Sequence, residues 1–221
     1  MIKRFLSFFI PMNIHEQKST VSKNLEVTWN NGMLVLDSKN TNYSFGSLQR
    51  ILRKGLLKIG VAEIANMQHI LILGVAAGSV IRTLTDEFKF DGKITGVEID
   101  REIIEIANQY FGLNEIPNLT IFIDDAFEFI LKTTDKYDLI IVDIFKDIEM
   151  PNFLFEKFFV NRLHFLLTGN GFILFNTMTL NKLHDQRNKT YVESIDQSNF
   201  SVVTLPRVAN HNEVIILQKL S

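Results

Sequence analysis

The chain has 221 residues, a formal net charge of −2 with 22% charged residues, and no cysteine. That length carries one domain with a substantial core, with room for a small appendage but not for a second full domain. The charge balance gives no whole-chain signature of nucleic-acid or anionic-membrane binding. The lack of Cys excludes disulfides, thiolate metal sites and cysteine nucleophiles, and it suits a cytoplasmic protein.

The first residues, MIKRFLSFFIPM, begin basic and turn apolar. Phe5 to Ile10 is too short to span a bilayer and no small-residue cleavage site follows, so the segment reads as a first strand or a docking segment. Leu25 to Trp29 and Met33 to Asp37 flank Asn30-Asn31-Gly32, and Asn-Gly between strand-like runs predicts a β-hairpin. Tyr43 to Ile59 places Leu48, Ile51, Leu52, Leu56 and Ile59 on one helical face, with Arg50, Arg53, Lys54 and Lys58 on the others. Ser38 through Ala62 contains no Asp or Glu, so this helix is basic. A solvated face is the ordinary reading of such a helix.

His69 to Asp100 then reads as a βαβ unit. Ile70 to Leu73 is an apolar strand, Gly74-Val-Ala-Ala-Gly78-Ser79 a turn of small residues, and Ile94 to Ile99 a second strand with Glu98 near its end. Arg101 to Phe111 follows as a helix stopped by Gly112. Leu119 to Ile123 reads as a buried strand ending in Asp124-Asp125-Ala126, before a helix over Phe127 to Leu131. Tyr137 to Val142 is another buried strand, ending at Asp143. Beyond Pro151, Phe153 to Leu167 has helical spacing and stops at Thr168-Gly169-Asn170-Gly171. Phe172 to Phe175, Phe200 to Leu205 and Glu213 to Leu217 are the remaining strands, with a polar helix over Lys182 to Ile195. Near-continuous apolar strands alternating with helices predict an α/β fold with a mainly parallel sheet covered on both faces. The last two strands close it as an antiparallel pair. Residues 1–42 form the N-terminal β-strands and hairpin in this division, and 43–221 the Rossmann-like domain.

The carboxyl ends of parallel strands line one crevice, where ligands of such folds bind. Here those ends carry the small-residue turn, Glu98, Asp124/Asp125 and Asp143. The turn allows close backbone approach and a helix start with unpaired N–H groups. Glu98, 20 residues after Gly78, stands where a carboxylate grips a ribose diol. The dinucleotide pattern G-x-G-x-x-G fails because Ala76 and Ser79 occupy two of its glycine positions, so a nucleoside without pyrophosphate is expected. Chemistry then assigns Asp125 to an exocyclic adenine amine and Asp143 to the reactive end of the ligand. Each acid alone is more often a helix cap or turn residue, and their coincidence is what points to a ligand. His15, His69, His164, His184 and His211 stand at no metal-ligand spacing, so no metal is expected. His164 and His184 read as helix-surface residues.

The succession LILGVAAGS, TGVEID, DDAFEFI and YDLIIVDIF, followed by a Phe-rich helix, resembles the spermidine synthases and their relatives, which have the class I methyltransferase fold. The segment GMLVLDS is similar to the N-terminal β-domain of that family, so the resemblance runs from about Leu25 to the C-terminus. It implies a seven-stranded Rossmann-like sheet and a site for S-adenosylmethionine or its decarboxylated form. By this resemblance Gly74, Ala76, Ala77 and Gly78, Glu98 with Ile99, Asp125 with Ala126, and Asp143 contact the cofactor. Asp143 is also the catalytic residue, accepting a proton from the attacking amine. The departures are Ala77, where the family turn carries an Asp for the aminopropyl ammonium, and Lys146, where a second acid follows Asp143, although Asp147 is adjacent. The acid-free Ser38 to Ala62 stretch also lacks the Gln and Asp-Glu elements that help hold a polyamine.

A polycationic amine needs carboxylates to replace its water. The expectation is therefore methyl transfer from S-adenosylmethionine to a small-molecule substrate, with Lys146 facing the methionine carboxylate. Polyamine aminopropyl transfer with a rearranged amine pocket is the alternative. A non-catalytic nucleoside-binding or scaffold domain, docking an acidic partner through Arg50, Arg53 and Lys54, is the third reading. A homodimer is expected from the abundance of Phe and from the resemblance, with no nucleic-acid or membrane partner.

Overall fold

The computed structural model describes residues 2–38, 41–44, 47–145 and 149–220. The chain opens with a short helix, α1 (Ile2–Leu6), where a strand or docking segment was expected. Four antiparallel strands follow in sequential order: β1 (Met12–Ser19), β2 (Lys23–Asn30), β3 (Met33–Ser38) and β4 (Thr41–Ser44). The predicted Asn-Gly hairpin is the β2–β3 connection, with Asn31 and Gly32 both at positive φ (49° and 75°) as a tight hairpin turn requires. The hairpin is thus the centre of a larger sheet. β1, MNIHEQKS, was not predicted because both its faces carry polar residues and its burial only half alternates.

The second layer system begins with α2 (Ser47–Ile59), shorter than expected because Tyr43 lies in β4. Ile51, Leu52 and Leu56 are buried, and a Cβ on Gly55 would collide with Leu174, so the helix lies close on the sheet. On its outer side Arg53 pairs with Glu87 at 2.5 Å, so the basic helix is already partly neutralised by its own chain. The remaining elements are α3 (Val61–Ala65), β5 (His69–Leu73), α4 (Ser79–Arg82) continued by a π-helical turn, β6 (Lys93–Glu98), α5 (Arg101–Phe111), β7 (Leu119–Ile123), α6 (Ala126–Lys132), β8 (Tyr137–Val142), α7 (Lys157–Leu166), β9 (Leu167–Met178), α8 (Lys182–Ser194), β10 (Phe200–Val208) and β11 (Asn212–Lys219).

Seven of these strands form one sheet in the order β10-β11-β9-β8-β5-β6-β7. β5 through β9 are parallel, and β11 inserts antiparallel between β9 and β10. Side chains of successive strand residues go to opposite faces. Ile70, Ile72, Leu139, Ile141 and Leu174 therefore join the core under α2 to α5, while Leu71, Leu73, Ile140, Val142 and Phe175 join the one under α6 to α8. This is the α/β architecture with helices on both faces that the strand pattern predicts.

Two local expectations are corrected. β7 is an edge strand rather than a buried one: Phe122 and Ile123 are 44% and 37% exposed, because β6 is its sole neighbour in the sheet. The helix expected over Phe153 to Leu167 is interrupted at Glu156, with a 3₁₀ turn at Asn152–Phe155 before α7. Thr168 to Gly171 does not end that helix. It bulges out of the β8–β9 ladder, where Tyr137 faces Leu167 and Leu139 faces Phe172.

Candidate active site

The carboxyl ends of β8, β5, β6 and β7 meet at one cavity of about 330 Å³. Gly74 directly follows β5 at φ 90°, and a Cβ there would strike the carbonyl oxygen of Asp143. Only glycine lets these two strand ends approach so closely. The turn continues through Ala76, itself in the left-handed region at φ 48°, and brings the amides of Val75 and Ala76 onto Glu98 Oε2 at 3.1 and 3.0 Å. Glu98 Oε1 accepts from the Asp100 amide at 3.1 Å. Burial pushes the Glu98 carboxyl above the usual range, against the pull of these backbone donors.

Asp143 follows β8 and sits in the same cavity. Its Oδ1 accepts from Asn176 Nδ2 at 2.8 Å, and Asn176 Oδ1 in turn accepts from Asn212 Nδ2 at 3.0 Å. Burial, opposed by the Asn176 hydrogen bond and reinforced by the nearby Glu98 charge, raises its pKa to about 6. A carboxyl so placed is ionised at neutral pH yet a stronger base than a surface aspartate. Asp125 caps α6, with Oδ1 accepting from the amides of Phe127 (2.7 Å) and Glu128 (3.3 Å). Its Oδ2 makes no hydrogen bond to the described residues, and the residue lines the cavity beside Asp124 and Ala126.

The small sheet also reaches the site. Val21, Ser22 and Lys23, at the β1–β2 turn, line the cavity. Ser19 and Ser22 donate their hydroxyls to Asp100 Oδ2 at 2.5 and 2.6 Å, while Asp100 Oδ1 caps α5 through the Ile103 amide. Burial pushes the Asp100 carboxyl up, but its hydrogen bonds, those from Ser19 and Ser22 first, together with Glu102 and the Ile103 amide, outweigh it and hold it below the usual range.

Of the residues singled out in the sequence, Gly74, Ala76, Glu98, Ile99, Asp125, Ala126 and Asp143 are together on the cavity wall. Ala77 and Gly78 are not. Ala77 is 1% exposed in the core, and Gly78 precedes α4 at φ 80°, where a Cβ would meet Leu113. Lys146 and Asp147 lie outside the described residues. Neither His164 nor His184 lines the cavity. Among the described residues no group of His, Asp and Glu is arranged to hold a metal ion. The sequence reading missed the Asn176–Asn212 relay, the Asp100 clamp and an apolar wall of Ile144, Phe145, Pro151, Phe153 and Met178. Asn176 alone left a signal, as a polar residue closing the apolar run of β9.

The donor set fits an adenine nucleoside. A carboxylate offers about four acceptor positions, and three backbone amides occupy Glu98, which leaves about one for a ribose hydroxyl. Asp125 Oδ2 is an acceptor suited to an exocyclic amine, and the rest of that end is the aliphatic surface of Ile99, Ile103 and Ala126.

Comparisons with known proteins agree with this architecture. The Thermotoga maritima spermidine synthase structure superposes with a TM-score of 0.73 at 16% identity, covering 94% of this chain and 73% of that one. Human Methyltransferase-like protein 13, in complex with SAH, gives 0.62 at 21% identity, covering 80% and 86%. At such identities these likenesses establish the fold, which is that of the class I methyltransferases. Residues 49–219 match the spermine/spermidine synthase domain, and the chain belongs to that family. A polyamine aminopropyltransferase of Vibrio vulnificus is 31% identical over 127 residues, 56% of this chain and 42% of that protein. One from Clostridium beijerinckii is 30% identical over 123 residues, 54% and 43%. These matches span less than half the length of the curated relatives.

Proposed function

We propose that this chain binds decarboxylated S-adenosylmethionine and transfers its aminopropyl group to an amine, with Asp143 as the base. The observation that carries the reading is the Asp143 carboxylate, in the cavity, oriented by Asn176 and raised to about 6. Family membership and the relatives named polyamine aminopropyltransferase favour this over the methyl transfer first expected. The nucleoside end is assigned to Glu98 for a ribose hydroxyl and to Asp125 for the adenine amine, with Ile99 and Ala126 against the base.

When bound, the donor supplies an electrophilic carbon on a sulfonium and a neutral thioether leaving group. Asp143 accepts the proton released as the amine nitrogen bonds to that carbon. The C–S bond breaks with its electron pair going to sulfur, so methylthioadenosine leaves. Holding the two reactants in line is the larger part of such catalysis, and the rigid ends of β5 and β8 provide it. Ala77 offers no carboxylate to the donor ammonium, so the reading assigns donor affinity to the adenosine contacts.

The same proposal includes a cytoplasmic setting, in keeping with the lack of cysteine, and a homodimer, for which the exposed Phe5, Phe9 and Ile10 provide apolar surface. Sedimentation velocity reads the oligomeric state. The test of function is product analysis with each donor and a mixed panel of amines. Methylthioadenosine from the decarboxylated donor, lost in Asp143→Asn, is expected. S-adenosylhomocysteine from the intact donor instead would replace this reading with methyl transfer.

A further inference from the structure

Behind Asp143 lies a set of buried polar side chains that the chemistry described so far does not use. Asn176 and Thr177 near the end of β9, Asn188 on α8 and Asn212 at the start of β11 are at most 7% exposed, and none of them lines the cavity. They are tied to one another. Asn188 Nδ2 reaches Thr177 Oγ1 at 2.8 Å and Glu213 Oε2 at 3.0 Å, joining α8 to both strands. Asn212 stands opposite Met178 in the antiparallel ladder, one diagonal step from Asn176, and donates to Asn176 Oδ1 at 3.0 Å. The turn before it holds Arg207, Ala209 and Asn210 in the left-handed region, at φ 52°, 50° and 72°. That conformation is costly for residues with a Cβ. The ladder itself is made by backbone groups and needs none of these amides, and apolar side chains would fill the same space without the risk of a half-satisfied polar network.

The network has a direction. An ionised carboxylate only accepts hydrogen bonds, so Asn176 turns Nδ2 to Asp143 Oδ1, 2.8 Å away, and its own Oδ1 faces the other way. Asn212 meets that oxygen with an N–H group. Turning the Asn176 amide over would set oxygen against oxygen at Asp143 and N–H against N–H at Asn212, so each link holds the next. The donor fixed in this way favours the ionised form of Asp143, against burial and the Glu98 charge. It also occupies Oδ1, while Oδ2 makes no hydrogen bond to the described residues and is the oxygen left for the amine proton. The other charged groups lining the cavity among the described residues are Lys23, Glu98, Asp100, Asp124 and Asp125, and Glu98 is the one that acts on the Asp143 carboxyl. Glu213, beside Asn212 on β11, accepts from Asn188.

We infer that Asn212 is a positioning residue for the base: through Asn176 it holds Asp143 ionised with Oδ2 presented to the amine. The β10–β11 hairpin then takes part in catalysis without touching substrate. The inference rests on the aminopropyl-transfer reading for what Asp143 does, and it adds what keeps that carboxylate ready.

The test replaces Asn212 by Leu, which has similar volume and no donor, and by Asp, which takes the Asn176 N–H groups for itself, should the Leu variant not fold. Two readouts are taken across pH 4.5 to 9: kcat/KM for the amine that turns over fastest, and the carbon-13 NMR shift of the Asp143 carboxyl, assigned by its loss in Asp143→Asn. The rest of the cavity, including the loop after Asp143, is the same in every protein compared. Losing a fixed donor to a charged group is expected to move the acid limb and the carboxyl titration up by about one pH unit, and to lower the plateau of kcat. The KM for the donor is expected to stay within about 2-fold, since Asn212 lies off the cavity wall. A variant that is merely less stable, with limb and carboxyl titration unmoved, overturns the inference and leaves the transferase standing. No turnover by the wild type with any amine sinks the transferase, and the carboxyl titration then decides the hydrogen-bond chain by itself: an upward shift in the variants supports it and an unchanged titration overturns it.

Discussion

Replacing Asp143 by Asn is expected to stabilise the protein while removing its activity. The side chain sits in a cavity wall where burial and the Glu98 charge raise its pKa from 3.8 to about 6. Its ionised form is therefore less favourable in the folded than in the unfolded state. For a carboxyl shifted upward, stability is highest below the unfolded pKa and is lost as pH rises through the folded one. A shift of about 2 units corresponds to about 3 kcal/mol once the group is fully ionised. At pH 4.5, less than one unit above the unfolded value, the cost is about 1 kcal/mol by the same arithmetic. Asn keeps the volume and can still accept from Asn176 Nδ2 through its carbonyl oxygen, so the hydrogen bond at 2.8 Å survives the exchange. Urea unfolding of both proteins at pH 8 and pH 4.5 measures the difference. Asp143→Asn should be more stable by about 2–3 kcal/mol at pH 8, with the advantage falling to about 1 kcal/mol at pH 4.5. An Asn variant that is less stable at pH 8, or a difference that does not change with pH, would refute the picture of a strained, functional carboxylate.

Two further substitutions probe the walls of the same cavity. Ala76 holds a left-handed conformation at φ 48°, and Ala76→Gly should stabilise by about 0.5–1 kcal/mol in chemical denaturation, the relief of backbone strain exceeding the gain in unfolded-state freedom. Ser22→Ala removes one of two hydroxyls on Asp100 and should cost about 1–2 kcal/mol at pH 7, with the penalty fading as the solution is acidified below the usual aspartate range. The same variant should weaken methylthioadenosine binding in a fluorescence titration, because the β1–β2 turn that lines the cavity then keeps only the Ser19 hydroxyl on Asp100.

The parts of this fold that could be read from sequence are those where local pattern and tertiary role coincide. β5, β6 and β8 are covered on both faces, so their sequences are near-continuous apolar runs, with the small-residue turn at the exit of β5 and acids at the exits of β6 and β8. β7 has the same apolar character, LTIFI, and its position at the edge depends on pairing order, which no window of sequence contains. β1 belongs to a sheet with one partly solvated face, and its polar sequence carries no strand signal. Within the site, Glu98, Asp125 and Asp143 were visible because each stands at or just beyond the end of a strand. Asp125 serves both descriptions, capping α6 with one oxygen and facing the cavity region with a second acceptor. Asn212 was not visible, because its place beside Asn176 depends on β11 returning antiparallel to β9. The apolar wall was hidden for the same reason: Phe153 and Met178 lie 25 residues apart and meet only through the loop after β8 and the end of β9.

The central claim is that the strand-end cavity is an adenine-nucleoside site, and calorimetric titration of methylthioadenosine into the wild type and Asp125→Asn tests it most directly. Asn is as good a helix cap as Asp, so α6 and the melting temperature should be unchanged, while one carboxylate acceptor becomes an amide that can present N–H groups to the adenine amine. One-to-one binding by the wild type, weakened about 10-fold or more in the variant as for the loss of a charged hydrogen-bond acceptor, is the predicted result. No binding by the wild type, or equal affinity in the two proteins, would contradict the assignment of this cavity and of Asp125 within it.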